Sequence, residues 1–225
     1  MTRETYQQSL DDLRDDVLEM GHLVVKRFEM GLESLVNTDE SLPLEVIEGD
    51  SDINETYLTL ENQCVDLFAL QQPVAGDLRF IAASFKIITD LERVGDLAAN
   101  LAQYALTAKR DLTPEVAIDD IGRDAKALLT RSLEAYAIED VDVCWEIAGS
   151  DDDIDALCQR ASETVVRDLI ERKADSDDSW AIEQLLDDVS RVLLTIRDLE
   201  RIADHAVNIA ARTLYMAEND PSLIY

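Results

Sequence analysis

The segment DLERVGDLAANLA at residues 90–102 returns as DLERIADHAVNIA at residues 198–210, 108 positions further along a chain of 225. Both copies open Asp-Leu-Glu-Arg, both carry Asp at the seventh position, and both place Ala, Asn and Ala at the same later offsets. Neither contains Pro or alternates as a strand would; their apolar residues fall three or four apart, the period of one helix face. The repeat marks a tandem duplication in which each half ends on the same kind of long helix.

Outward from these copies the same period continues. Residues 6–36 place Leu10, Leu13, Val17, Met20, Val24, Phe28, Leu32 and Leu35 on one stripe. Residues 37–43 break it, and a second stripe over residues 44–70 runs through Ile47, Ile53, Leu60, Cys64 and Leu67. Pro73 stands where the first turn of a helix needs no N–H partner, so a third helix is expected from there to about residue 109. After Pro114 three more are expected, over residues 114–138, 141–173 and 179–217. An acidic turn, ADSDDS, precedes the last, with Ser179 as its N-cap. The middle helices can also be aligned: GLESLVNTDE (31–40) lies over SLEAYAIEDV (132–141) at a shift of 101, which pairs Asp50 with Asp151, Ile53 with Ile154 and Asn54 with Asp155. The expected fold is all-α, six long helices in two tandem three-helix bundles covering residues 1–110 and 111–225.

Composition narrows the function classes. The chain holds 49 acidic residues against 20 basic ones, a formal charge of −29, and only 7 Gly and 4 Pro. Such a surface repels nucleic acid and anionic lipid, and its self-repulsion strains the compact state unless salt screens it. Asp-rich, Lys-poor usage fits a salt-rich cytoplasm, so a halophilic source is expected. Cys64, Cys144 and Cys158 show no close pairing, which suggests buried free thiols in a reducing cytosol. No stretch approaches 18 uninterrupted apolar residues, so a soluble, cytoplasmic protein is expected, one that meets a membrane only through a protein partner. Trp145 and Trp180 are expected as core or loop anchors.

The repeated segments also carry the candidate chemistry. Glu92 and Asp96, and in the second copy Glu200 and Asp204, are four apart and project from one helix face about 6 Å from each other. Carboxylates so placed can hold Mg, Mn, Ca or, with enough ligands, Fe through oxygen. Small neighbours accompany both pairs, Gly95 with Ala98 and Ala203 with Ala206. The aligned middle helices add Asp50 with Asn54 in one half and Asp151 with Asp155 in the other. The same spacing also fits a solvated acidic face carrying Arg93 and Arg201 ion pairs. With only His22 and His205 and no Glu-x-x-His, a ferritin-like di-iron site lacks its nitrogen ligands. No phosphate-cradling glycine loop, nucleophile elbow or Cys/His pair is present, so binding rather than catalysis is expected.

QQPVAGDLR (71–79), followed by the two ERxxD segments in that order, resembles the hallmark segments of the PhoU family, over about residues 10–214. That resemblance implies two three-helix bundles related by pseudo-twofold symmetry, and metal clusters of Fe, Zn, Mn or Mg held by paired acidic motifs. The implied ligands are Glu92, Asp96, Glu200 and Asp204, with Asp50, Asp151 and Asp155 on the neighbouring helices. Asn54 departs from the pattern by replacing an acid, Ala203 by replacing Gly, and the second half has no equivalent of QQPVAGDLR. The implied role is restraint of phosphate uptake through the ATPase component of the phosphate ABC transporter and, where present, its partner sensor histidine kinase. A homodimer is one arrangement open to it. A carboxylate-bridged metal enzyme and a metal-free helical scaffold are the alternatives.

Overall fold

The computed structural model describes residues 3–36, 41–70, 74–107, 117–174 and 179–224. All regular structure among them is helical: α1 (Arg3–Val36), α2 (Ser41–Glu48), α3 (Asp50–Leu70), α4 (Ala75–Thr107), α5 (Ile118–Ile138), α6 (Val141–Ala174) and α7 (Ser179–Glu218). Six are long, as expected. The second expected helix, over residues 44–70, is instead broken in two, because the chain turns at Gly49 between α2 and α3. A side chain there would meet the Arg27 guanidinium, whose Nη1 donates to the Glu45 carbonyl at 3.1 Å and whose Nη2 donates to Asp52 at 3.1 Å. Arg27 thus closes the end of α2 and holds the start of α3. Pro43, placed in the expected break, instead lies buried in the first turn of α2, where its missing N–H leaves no gap. Pro73, residue 109, Pro114 and the acidic residues 175–178 lie outside the described residues.

The apolar stripe of α1 is what the helix buries: Leu13, Val17, Val24 and Phe28 are fully inaccessible. In α3 the stripe of Ile53, Leu60, Cys64 and Leu67 does the same. All three cysteines are free and buried. α1, α3 and α4 pack together, with the short α2 against α1 and α4, while α5, α6 and α7 form the second group. The groups meet where α4 packs on α7 and α1 on α5, so one cluster of buried residues runs through both. Removing this much apolar surface from water, at about 25 cal/mol per Å², is what makes such long helices stable.

Two local features set the spacing. Gly31 lets α1 approach α4 so closely that a Cβ would lie 2.9 Å from the Ala98 carbonyl oxygen. The α5–α6 turn is made by Glu139 in the left-handed region (φ 57°) and by Asp140, whose carboxylate accepts the Val143 N–H at 3.1 Å and caps α6. Trp145, expected as an anchor, departs from that expectation: it lies on the outer face of α6 and is 44% exposed. The side chain of Trp180 lies outside the described residues.

Candidate metal centre

The third helix of each group presents its carboxylates to the middle helix. In the second group the helical register of α6 puts Asp151 and Asp155 one turn apart, and α7 brings Asp204 against them. These three side chains place carboxylate oxygens within 4.8 Å of one another. Glu200, one turn before Asp204, faces the same cluster: burial, then Asp155, Asp204 and Asp151 raise its carboxyl above the ordinary range. Burial, then Asp155, Asp204 and Asp152 push the Asp151 carboxyl up to about 6. Its Oδ1 is shielded from solvent and accepts no hydrogen bond. An oxygen in that state, facing two further carboxylates, lacks a positive partner, and a cation bound by oxygen would supply one. The three aspartates therefore fit a hard cation held through oxygen, with Glu200 as an electrostatic neighbour of the same cluster.

The first group repeats the arrangement in a weaker form. Burial, then Asp96 and Asp50, raise the Glu92 carboxyl, against opposition from Arg93 and His205. Burial and Asp50 raise Asp96, opposed by Arg93 and Arg201. Asp50, Glu92 and Asp96 are thus electrostatic neighbours. Asn54, however, donates its amide to Asp50 Oδ2 at 3.0 Å, engaging an oxygen that an acid at this position would leave open. α4 closes tightly on α3 here, since a Cβ on Gly95 would come within 2.9 Å of Ile53 Cδ1.

All seven candidate residues therefore fall into two groups, one on α3 and α4 and one on α6 and α7. Two further neighbours escaped the sequence reading. Cys158 lies buried one turn beyond Asp155, pushed up to about 12 by burial, then by Glu200, Asp155 and Asp204. At the shift of 101 its counterpart is Tyr57, which donates to Glu61 at 3.2 Å and feels Glu92. Extending the alignment by one turn past Asn54 would have found both. The other missed feature joins the two groups: His205 Nδ1 lies 2.9 Å from Asp90 Oδ1 across α4 and α7.

The PhoU domain family matches this sequence twice, at residues 17–105 and 118–213. The chain is 31% identical over 219 residues to a phosphate-specific transport system accessory protein PhoU homolog of Clostridium acetobutylicum, covering 96% of this chain and 95% of that one. It is 32% identical over 217 residues to PhoU homolog 1 of Methanothermobacter thermautotrophicus, covering 95% and 94% of the two chains. The crystal structure of PhoU from Pseudomonas aeruginosa superposes with a TM-score of 0.83 at 29% identity, covering 96% of this chain and all (100%) of that one.

Proposed function

The chain belongs to the PhoU family, and from that premise we propose that it is an accessory protein of a phosphate-specific transport system that restrains phosphate uptake by binding. The observation that carries this is the match over nearly its whole length to relatives bearing that name. No described helix is long and apolar enough to cross a membrane, so contact with the transporter is made through a protein component, the ATPase being the partner of choice. A sensor histidine kinase is a second partner where the organism has one.

Metal is part of this proposal. The second cluster holds the cation more firmly, through Asp151, Asp155, Glu200 and Asp204, and the first less firmly, because Asn54 replaces an acid beside Asp50. Held there, a cation would supply the positive charge that these mutually repelling carboxylates lack, and Asp151, Asp155, Glu200 and Asp204 would join α6 to α7 as Asp50, Glu92 and Asp96 would join α3 to α4. The residues themselves would bind the cation and orient the helices that carry them. A charge of −29 suits a saline cytoplasm and makes apolar and hydrogen-bonded contacts the basis of partner recognition, since salt screens the rest.

The test is phosphate uptake in phosphate-replete cells. Deleting the gene should leave uptake high, the intact gene should restore the restraint, and a copy lacking Glu92, Asp96, Glu200 and Asp204 should restore it poorly. Normal uptake in the deletion strain, with no second family member present, would overturn the regulatory proposal. Full restoration by the altered copy would overturn the metal part alone.

A further inference from the structure

We propose that the two carboxylate clusters take up cations as a linked pair, with the Asp90–His205 contact across the α4–α7 seam as the link. This rests on the metal proposal above for the two clusters.

The repeated motif divides its labour by helix geometry. Residues two apart on a helix point about 200° away from each other. In DLER-x-x-D the glutamate and the last aspartate face the middle helix of their own half, while the first aspartate faces the other way. In the structure that first aspartate meets the opposite half in both copies. Asp90 bonds His205 of α7 at 2.9 Å, with side chains 15% and 12% exposed. Asp198, fully buried, accepts the Tyr104 hydroxyl of α4 at 2.9 Å and lies 3.5 Å from the Asn100 amide. Asp90 precedes Glu92 by two residues, and His205 directly follows Asp204. One shielded contact therefore joins a turn that carries a first-cluster carboxylate to a turn that carries a second-cluster one.

The electrostatics have the same connectivity. His205 favours the ionised form of both Glu92 and Asp204, and Arg201 favours that of both Asp96 and Asp204, so two α7 side chains serve both clusters. A cation that draws Asp204 toward Asp151 and Asp155 fixes the rotation of α7 about its axis. Through His205 and Asp90 it also fixes α4, and with it the direction of Glu92 and Asp96 toward Asp50. The second ion then meets helices already ordered, which favours its binding. Repulsion between the two ions works against this and is screened by salt. Couplings of this kind span about 5- to 150-fold, and the lower end, about fivefold, is expected for a single side-chain bridge. Asp90 and His205 are positioning residues.

The test is calorimetric titration of the chelator-stripped full chain with Mn²⁺ at about 0.15 M salt, where the Debye length is about 8 Å. Asp155→Asn with Asp204→Asn disables the second cluster, and the affinity of the first is then compared in two backgrounds, native and His205→Leu. Leucine is what the first half carries at the equivalent place, Leu97, and it packs there 2% exposed. Disabling the second cluster should weaken the first about fivefold in the native background and leave it unchanged with His205→Leu. A role confined to holding the fold would lower both affinities and preserve the fivefold difference, and that result overturns the link. So does finding no difference in the native background. Should His205→Leu fail to fold by circular dichroism, Asp90→Ala reads the same difference. Two independent Mn²⁺ sites in the native chain would sink the link alone, whereas no Mn²⁺ at either cluster would remove the metal proposal together with it.

Discussion

Replacing Asp151 by Asn should stabilise the metal-free protein and weaken it in the presence of metal. The folded state raises the Asp151 carboxyl from an ordinary 3.8 to about 6, by burial first and by Asp155, Asp204 and Asp152 after it. A carboxyl so raised binds its proton more tightly folded than unfolded, so stability is greatest below the unfolded value and falls as pH climbs from about 4 to about 6. Above that the penalty is constant. At about 1.4 kcal/mol per pKa unit the shift would approach 3 kcal/mol, but Asp151 is only half-buried and solvent screening reduces this to about 1 kcal/mol. In a chain of this length that corresponds to about 2–4 °C in thermal midpoint. In chelator, Asp151→Asn should match the native protein near pH 4 and exceed it by that margin at pH 7. With Mn²⁺ at about 100 times its Kd the native protein should gain about 2.7 kcal/mol, most of which the variant forgoes, so the order reverses. Thermal unfolding by circular dichroism at pH 4, 5.5 and 7 is the assay. A gain that does not change across this range, or destabilisation by Asn at pH 7 in chelator, would refute the charge-repulsion account of the site.

Gly31→Ala should lower the thermal midpoint by several degrees, because the new Cβ meets the Ala98 backbone carbonyl and overpacking of this kind costs about 1–3 kcal/mol; intrinsic helix propensity alone would raise it, so the sign decides. Tyr104→Phe should destabilise by about 2 kcal/mol in urea unfolding, since it removes the hydroxyl that donates to the buried Asp198 carboxylate and loosens α4 from α7; an unchanged urea midpoint would mean that Arg197, which bonds the other oxygen at 2.8 Å, suffices. Raising KCl from about 0.1 M to about 1 M, which shortens the Debye length from about 10 Å to about 3 Å, should raise the midpoint of a chain carrying −29 charges, and a fall in a differential scan would contradict the account of self-repulsion.

What the sequence determined by itself was whatever depends on neighbours three or four residues away. The stripe from Leu10 to Phe28 names the buried face of α1, and the repeat of DLER-x-x-D names the helices that carry the paired acids, since both follow from 3.6 residues per turn. The shift of 101 even names Asp151 and Asp155 as a second acidic pair on the helix next to the one that carries Glu200 and Asp204. The break at Gly49 was not legible, because it depends on Arg27, which reaches it from another helix and not from a local turn signal. Only the tertiary structure decided how the two clusters differ. Asn54 reads in sequence as a missing acid, but its donation to Asp50 is a distance between side chains, and the approach of Asp151, Asp155 and Asp204 to within 4.8 Å depends on how closely α6 and α7 pack. No Glu-x-x-His motif marks His205 in the sequence, and its partner is an aspartate 115 residues away on α4. Periodicity fixes which face of a helix is apolar; which helix that face meets, and at what separation, is set by the volumes of side chains distant in sequence, and no local pattern encodes it.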